Sequence, residues 1–201
     1  MITNTINELF NEAKHDGSKI IKGIAKSILR PIKPSDFKDA YLSISREQGE
    51  DLVQLIRKKN LKNIVEFGTS FGISTLFLAQ GVRETKGKIV TTELIESKAT
   101  KAIEHFKKAG VNDLIEVRVG DATDTLKEFS EPIDLLLLDG WKDLYLPIFR
   151  MLEGNFHAKT LIYVDNADMR ESKDFLATIA QNEKYQLESQ YQGKVVLISV
   201  L

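Results

Sequence analysis

The sequence predicts a doubly wound α/β domain: a mostly parallel, seven-stranded sheet, covered by helices on both faces and carrying an antiparallel C-terminal strand. Three observations predict it. Short apolar runs alternate with helical stretches from about residue 60 to residue 180, the rhythm of a parallel sheet with crossover helices. One run, Ile133–Asp139 (IDLLLLD), is almost wholly apolar, as at the centre of a sheet covered on both faces. The last two runs have no helix between them, so they should pair antiparallel, because parallel neighbours need a long crossover.

The elements follow in order. Ile2, Ile6, Leu9, Phe10 and Ala13 share one helical face, and so do Ile20, Ile21, Ile24, Ala25, Ile28 and Leu29 behind a Ser18 cap. Pro31 and Pro34 stop that second helix. Ser45 and Gln48 have the spacing of a capping box before a helix reaching Asn60. Strands are expected at Asn63–Phe67, Lys88–Glu93, Leu114–Val119, Ile133–Asp139, Thr160–Asp165, Tyr185–Tyr191 and Lys194–Val200. Helices are expected at Gly72–Val82, Glu96–Ala109, Ala122–Phe129, Leu144–Leu152 and Ser172–Gln181. Gly110 supplies a left-handed stop after the second of these.

The chain has 201 residues, room for one domain plus an appendage. Its 28 Lys and Arg nearly balance 29 Asp and Glu, which argues against a dedicated nucleic-acid binder. With no cysteine, disulfides, thiolate zinc sites, iron–sulfur clusters and a cysteine nucleophile are excluded. No apolar run approaches the roughly 20 residues of a membrane span, and the first residues lack a signal-peptide layout, so cytoplasm is the expected compartment. Residues 1–34 carry a surplus of Lys and Arg over acids. Their basic second helix reads as an amphipathic helix packed on the domain with solvated lysines, in preference to a membrane-surface helix.

The loop Glu66-Phe67-Gly68-Thr69-Ser70-Phe71-Gly72 ends a strand and opens a helix, where ligands bind in open parallel sheets. Its spacing is not the Gly-x-Gly-x-x-Gly of dinucleotide sites. Thr69 and Ser70 stand where a pyrophosphate needs glycine, and the acid Glu66 precedes the turn. That suits a ligand bearing a cation and no phosphate, such as S-adenosylmethionine (SAM). Glu93 ends the second strand, where a carboxylate can grip both ribose hydroxyls. Asp121, before Ala122, ends the third and could accept from an adenine amino group.

Two later strands end in Asp139 and in Asp165-Asn166. If those strands are neighbours, three oxygen ligands converge without His or Cys, a set for Mg2+ or Ca2+. Lys142, three residues beyond Asp139, is a candidate general base if partly desolvated there. Trp141, the only tryptophan, could wall an aromatic ring.

Together these residues resemble the class I SAM-dependent methyltransferases, with their Rossmann-like sheet, and within them the metal-dependent catechol O-methyltransferase group. The match runs from about Leu42 to Asn166 and is densest in Asp139–Pro147, Val164–Asn166 and VEFGTSFGIST (65–75). The resemblance implies that Asp139, Asp165 and Asn166 bind magnesium and that Lys142 deprotonates the acceptor hydroxyl. It implies that Glu93 holds the ribose, that Ser74 with Gly68, Ser70 and Gly72 holds the methionine end, and that Trp141 lines cofactor and acceptor. Glu66, Asp121, Ala122 and Asp139 complete the candidate cofactor set. It further implies an N-terminal helical lid over residues 1–44 on a methyltransferase domain of residues 45–201, with Leu42 and Ile44 near the pocket. A small hydroxylated acceptor and a homodimer are the partners expected. Gly140 stands in place of the family's histidine, and Ser70 in place of the loop tyrosine of the mammalian catechol enzyme. The family's second-hydroxyl glutamate has no clear counterpart; Glu171 and Glu188 are the acids considered for it. A metal-independent methyltransferase, a nicotinamide-dependent oxidoreductase and a non-enzymatic SAM-binding module are the alternatives.

Overall fold

The computed structural model describes residues 1–14, 36 and 44–201. The second leader helix and Leu42 lie outside them. Among the described residues, helix α1 (Ile2–Ala13) and helix α2 (Arg46–Lys59) precede the sheet. Then follow β1 (Asn63–Phe67), α3 (Ile73–Thr85), β2 (Lys88–Glu93), α4 (Glu96–Ala109), β3 (Ile115–Val119), α5 (Ala122–Thr125) and β4 (Ile133–Leu138). The chain finishes with α6 (Tyr145–Leu152), β5 (Phe156–Asp165), α7 (Arg170–Ile179), β6 (Tyr185–Gln190) and β7 (Val195–Val200). The seven strands lie in the order β3-β2-β1-β4-β5-β7-β6. β1 to β5 are mutually parallel, and β7 runs antiparallel to both β5 and β6.

β4 pairs with β1 on one side and β5 on the other. Its five leucine and isoleucine side chains are fully buried, because each of its faces meets a separate hydrophobic cluster. Leu135 and Leu137 join Ile64, Leu76, Phe77 and Phe106 on one face. Leu136 and Leu138 join Val65, Phe149, Ile162 and Phe175 on the other. A residue period of two sends alternate side chains to opposite layers.

Element ends follow local chemistry. α2 begins with the expected capping box: Gln48 N–H donates to Ser45 Oγ (3.2 Å) and Ser45 N–H donates to Gln48 Oε1 (2.6 Å). α4 stops at Gly110 with φ 69°. α5 is shorter than the expected Ala122–Phe129, because Arg118 takes the Thr125 carbonyl (2.8 Å) and Phe129 N–H turns back to Leu126 instead. β5 begins four residues earlier than expected, since Phe156 pairs with Ile133 across a register shift that polar His157 and Lys159 disguise.

α1 buries Ile2, Ile6 and Leu9 in the cluster that holds Phe77, Ala102 and Phe106. Glu8 pairs with Lys108 on α4 (2.5 Å). Among the described residues, no helix is long and apolar enough to cross a membrane.

Candidate active site

The carboxyl ends of β1, β2, β4 and β5 form one rim because these strands are parallel neighbours. The β1 loop turns at Gly68 (φ 108°), whose N–H donates to the Thr92 carbonyl (3.2 Å). A Cβ on Gly68 would lie 2.8 Å from the Asp139 backbone. The glycine therefore lets the β1 loop press against the end of β4. Ser70 (φ 49°) and Gly72 (φ 88°) also take left-handed backbone in this loop.

Glu66 is fully buried. Its Oε2 accepts from Thr75 (2.5 Å) and Thr91 (2.6 Å), while Oε1 has no hydrogen-bond partner. Burial pushes its pKa up, and the hydroxyls of Ser74, Thr75 and Thr91 pull the other way. A buried carboxylate oxygen with nothing to accept is suited to a cationic ligand group. Ser74 is itself buried at the start of α3.

Glu93 is held by two backbone donors: Ser70 N–H to Oε2 (2.8 Å) and Ile95 N–H to Oε1 (2.8 Å). Each oxygen keeps a further lone pair for a ligand hydroxyl. Burial again raises its pKa, opposed by the Ile95 N–H and the nearby Lys98 ammonium. Lys98 is buried on α4, over the Phe71 ring and 3.4 Å from Ser70 Oγ. At the end of β3, Asp121 caps α5, accepting from Thr123 N–H (2.8 Å) and Thr123 Oγ1 (2.7 Å). These bonds lower its pKa. Ala122 beside it is buried.

At the end of β4, Asp139 is nearly buried and lies against Asp165 from β5. Burial, then the Asp165 charge, holds the Asp139 carboxyl well above the usual carboxylate range. Lys142 Nζ lies 3.9 Å from Asp139 Oδ1 and donates to the Gly140 carbonyl (2.9 Å). Asn166 follows Asp165 with φ 53°. Trp141 is half-buried, and its indole N–H donates to Asp143 (3.2 Å). Glu171, Asp143, Asp174 and Lys142 line a hollow of about 230 Å³ beside Phe175, whereas Glu188 sits on β6 and bonds Gln190.

Among the described residues, no three His, Cys, Asp or Glu side chains are grouped to hold a metal. The donors that meet at this rim are the carboxylates of Asp139 and Asp165, with Asn166 next in sequence. They are hard oxygen donors, and two acids forced together out of water are the arrangement a divalent cation relieves. The residues fit the ion.

Two contributors escaped the sequence reading. Gln48 Nε2 donates to Asp165 Oδ1 (2.9 Å) from 117 positions away. Tyr145, fully buried, donates its hydroxyl to the Asp165 carbonyl (3.2 Å). The capping-box spacing marked Gln48 as a helix start but carried no sign of its tertiary partner. The buried position of Lys98 likewise left no local trace.

A family model described as O-methyltransferase matches residues 24–186. The chain is 31% identical over 136 residues to a catechol O-methyltransferase of Niastella koreensis, covering 66% of this chain and 61% of that one. It is 36% identical over 126 residues to a catechol O-methyltransferase of Mycobacterium tuberculosis, covering 62% and 57%. It thus spans about three fifths of the length of these two relatives. The crystal structure of an O-methyltransferase from Bacillus cereus in complex with SAH superposes with a TM-score of 0.72 at 24% identity, covering 91% of this chain and 97% of that one. The fold is thus shared with a solved O-methyltransferase and the family match spans most of the sequence, so the chain belongs to the O-methyltransferase family.

Proposed function

We propose that the chain is a SAM-dependent O-methyltransferase that methylates a hydroxyl of a small acceptor with vicinal oxygens, using a divalent cation and Lys142 as general base. What supports this reading above all is the meeting of Asp139 and Asp165 beside Lys142, at the rim where the β1 loop and Glu93 also end. The related proteins named catechol O-methyltransferase support the acceptor class.

SAM supplies an electrophilic methyl on a sulfonium, and the cation supplies positive charge that makes an acceptor hydroxyl more acidic. The chain's own residues do the rest. Asp139, Asp165 and Asn166 are the ligands assigned to the cation. Glu66 and Ser74 receive the methionine end, with the free Oε1 of Glu66 matched to its charge. Glu93 takes the ribose hydroxyls. Gly68, Ser70 and Gly72 shape the turn around the ligand. Asp121 and Ala122 border the adenine, and Trp141 walls the adjoining space. Lys142 Nζ would accept the proton of the acceptor hydroxyl, whose oxygen would take the methyl as the methyl–sulfur bond breaks and the sulfonium becomes a neutral thioether. Residues 1–44 are assigned as a lid on the 45–201 domain, Ile44 being buried in the same hydrophobic cluster as Leu52.

The test is transfer of labelled methyl from SAM to a panel of catechols and other vicinal diols. Lys142→Met should lower turnover by about 10²–10⁴-fold while leaving SAM binding in place. Excess chelator should abolish turnover, and added Mg2+ should restore it. Full turnover in the variant removes the base assignment, and full turnover in chelator removes the cation.

A further inference from the structure

Gln48 sits at the third position of α2 and is 7% exposed. Its amide is fixed at both ends. Ser45 N–H can only donate, so the atom 2.6 Å away must be Oε1. That leaves Nε2 for Asp165 Oδ1 at 2.9 Å, in a fully buried contact. The helix is seated close enough for this reach because residue 49 is glycine: a Cβ there would lie 2.3 Å from the Phe77 ring of α3. The second anchor on the same residue is Tyr145, which holds the Asp165 carbonyl rather than its carboxylate. Of these two contacts, the one that orients the carboxylate therefore comes from the start of α2.

We propose that Gln48 is the positioning residue for Asp165, turning its carboxylate so that the oxygen not bonded to Gln48 faces Asp139 and the cation. The inference rests on the reading of Asp165 as a cation ligand. It extends that reading by tying cation affinity to the point where the N-terminal segment joins α2. Partners that orient a ligating carboxylate raise metal affinity by fixing its geometry before the ion arrives. The same two hydrogen bonds make the Ser45 cap and the cation site parts of one relay: backbone N–H to amide oxygen, amide N–H to carboxylate.

The experiment is a Mn2+ titration of the full chain without SAM, followed by electron paramagnetic resonance. It compares the wild-type chain with Gln48→Met, Gln48→Asn and Ser45→Ala, with melting temperature measured alongside. Gln48→Met keeps the length and removes both polar atoms. Gln48→Asn keeps the amide one methylene short of Asp165, and carries the test if the methionine variant does not fold. Both should weaken Mn2+ binding roughly 10–100-fold. Ser45→Ala removes the cap hydroxyl but leaves the Gln48–Asp165 contact, so it should lower the melting temperature without changing Mn2+ affinity. Wild-type affinity in the Gln48 variants overturns the inference while leaving the cation reading intact. An equal loss in Ser45→Ala also overturns it, by assigning the effect to the helix start. No Mn2+ binding by the wild-type chain overturns the cation reading and this inference together.

Discussion

At the scale of single residues, the site draws on carboxylates largely withdrawn from water: Glu66, Glu93 and Asp165 are buried. Glu66 is the extreme case, with a raised pKa and one oxygen left without a partner. Its folded-state pKa lies above the 4.5 of the free side chain. The folded chain therefore binds this proton more tightly than the unfolded chain does. The resulting stabilisation is complete below about pH 4.5 and is lost as pH rises through the folded-state value. Glu66→Gln has no such proton. The melting temperature of the wild-type chain without ligand should fall relative to Glu66→Gln over that window and level off above it. Scanning calorimetry from pH 4 upward checks this; a difference that does not vary with pH contradicts it. Gly140 is explained at the same scale. A Cβ there would lie 2.5 Å from the Phe67 ring. Phe67 thus occupies the space that a histidine at this position would need for its backbone attachment.

At the scale of elements, helix packing decides where the functional side chains arrive. α2 and α3 approach through two glycines, Gly49 against Phe77 and Gly81 against Ile56, where an added Cβ would meet Ile56 at 2.8 Å. In an open helix, alanine in place of glycine adds about 1 kcal/mol of stability. Here the overpacking cost of about 1–3 kcal/mol should win. Gly81→Ala should lower the melting temperature, and adding Ile56→Val should recover part of the loss; a stabilised single variant would refute this. The strands, apart from the start of β5, and α4 were legible because apolar runs and a left-handed glycine are local signals. The start of α5 at Ala122 was legible too, but its end was not, because Arg118 takes the Thr125 carbonyl from the preceding strand. Gln48 was legible as a cap and illegible as a partner of Asp165, since a contact across 117 residues leaves no periodicity behind.

At the scale of the whole molecule, the two ends of the parallel strands have separate duties. The carboxyl rim gathers the acids of the proposed reaction. The amino rim is tied by Asp134, which accepts from Lys62 N–H (2.7 Å), Asn63 N–H (2.9 Å) and His157 Nε2 (3.0 Å). Asp134→Ala should cost about 1–3 kcal/mol of stability by stripping these donors of a partner. It should leave Mn2+ and SAM affinity unchanged below the melting temperature, and a shift in either affinity would show that the rims are not independent. The identity of the rim acids was readable from strand ends alone, but their meeting depended on β4 and β5 being neighbours, which only the assembled sheet shows.

The strand order carries a consequence for the order of pairing. β7 follows β6 in sequence yet lies between β6 and β5. Tyr185–Gln190 therefore has no sheet edge to bond until Val195–Val200 has paired with β5. The amide protons of β6 acquire protection from exchange no sooner than those of β7.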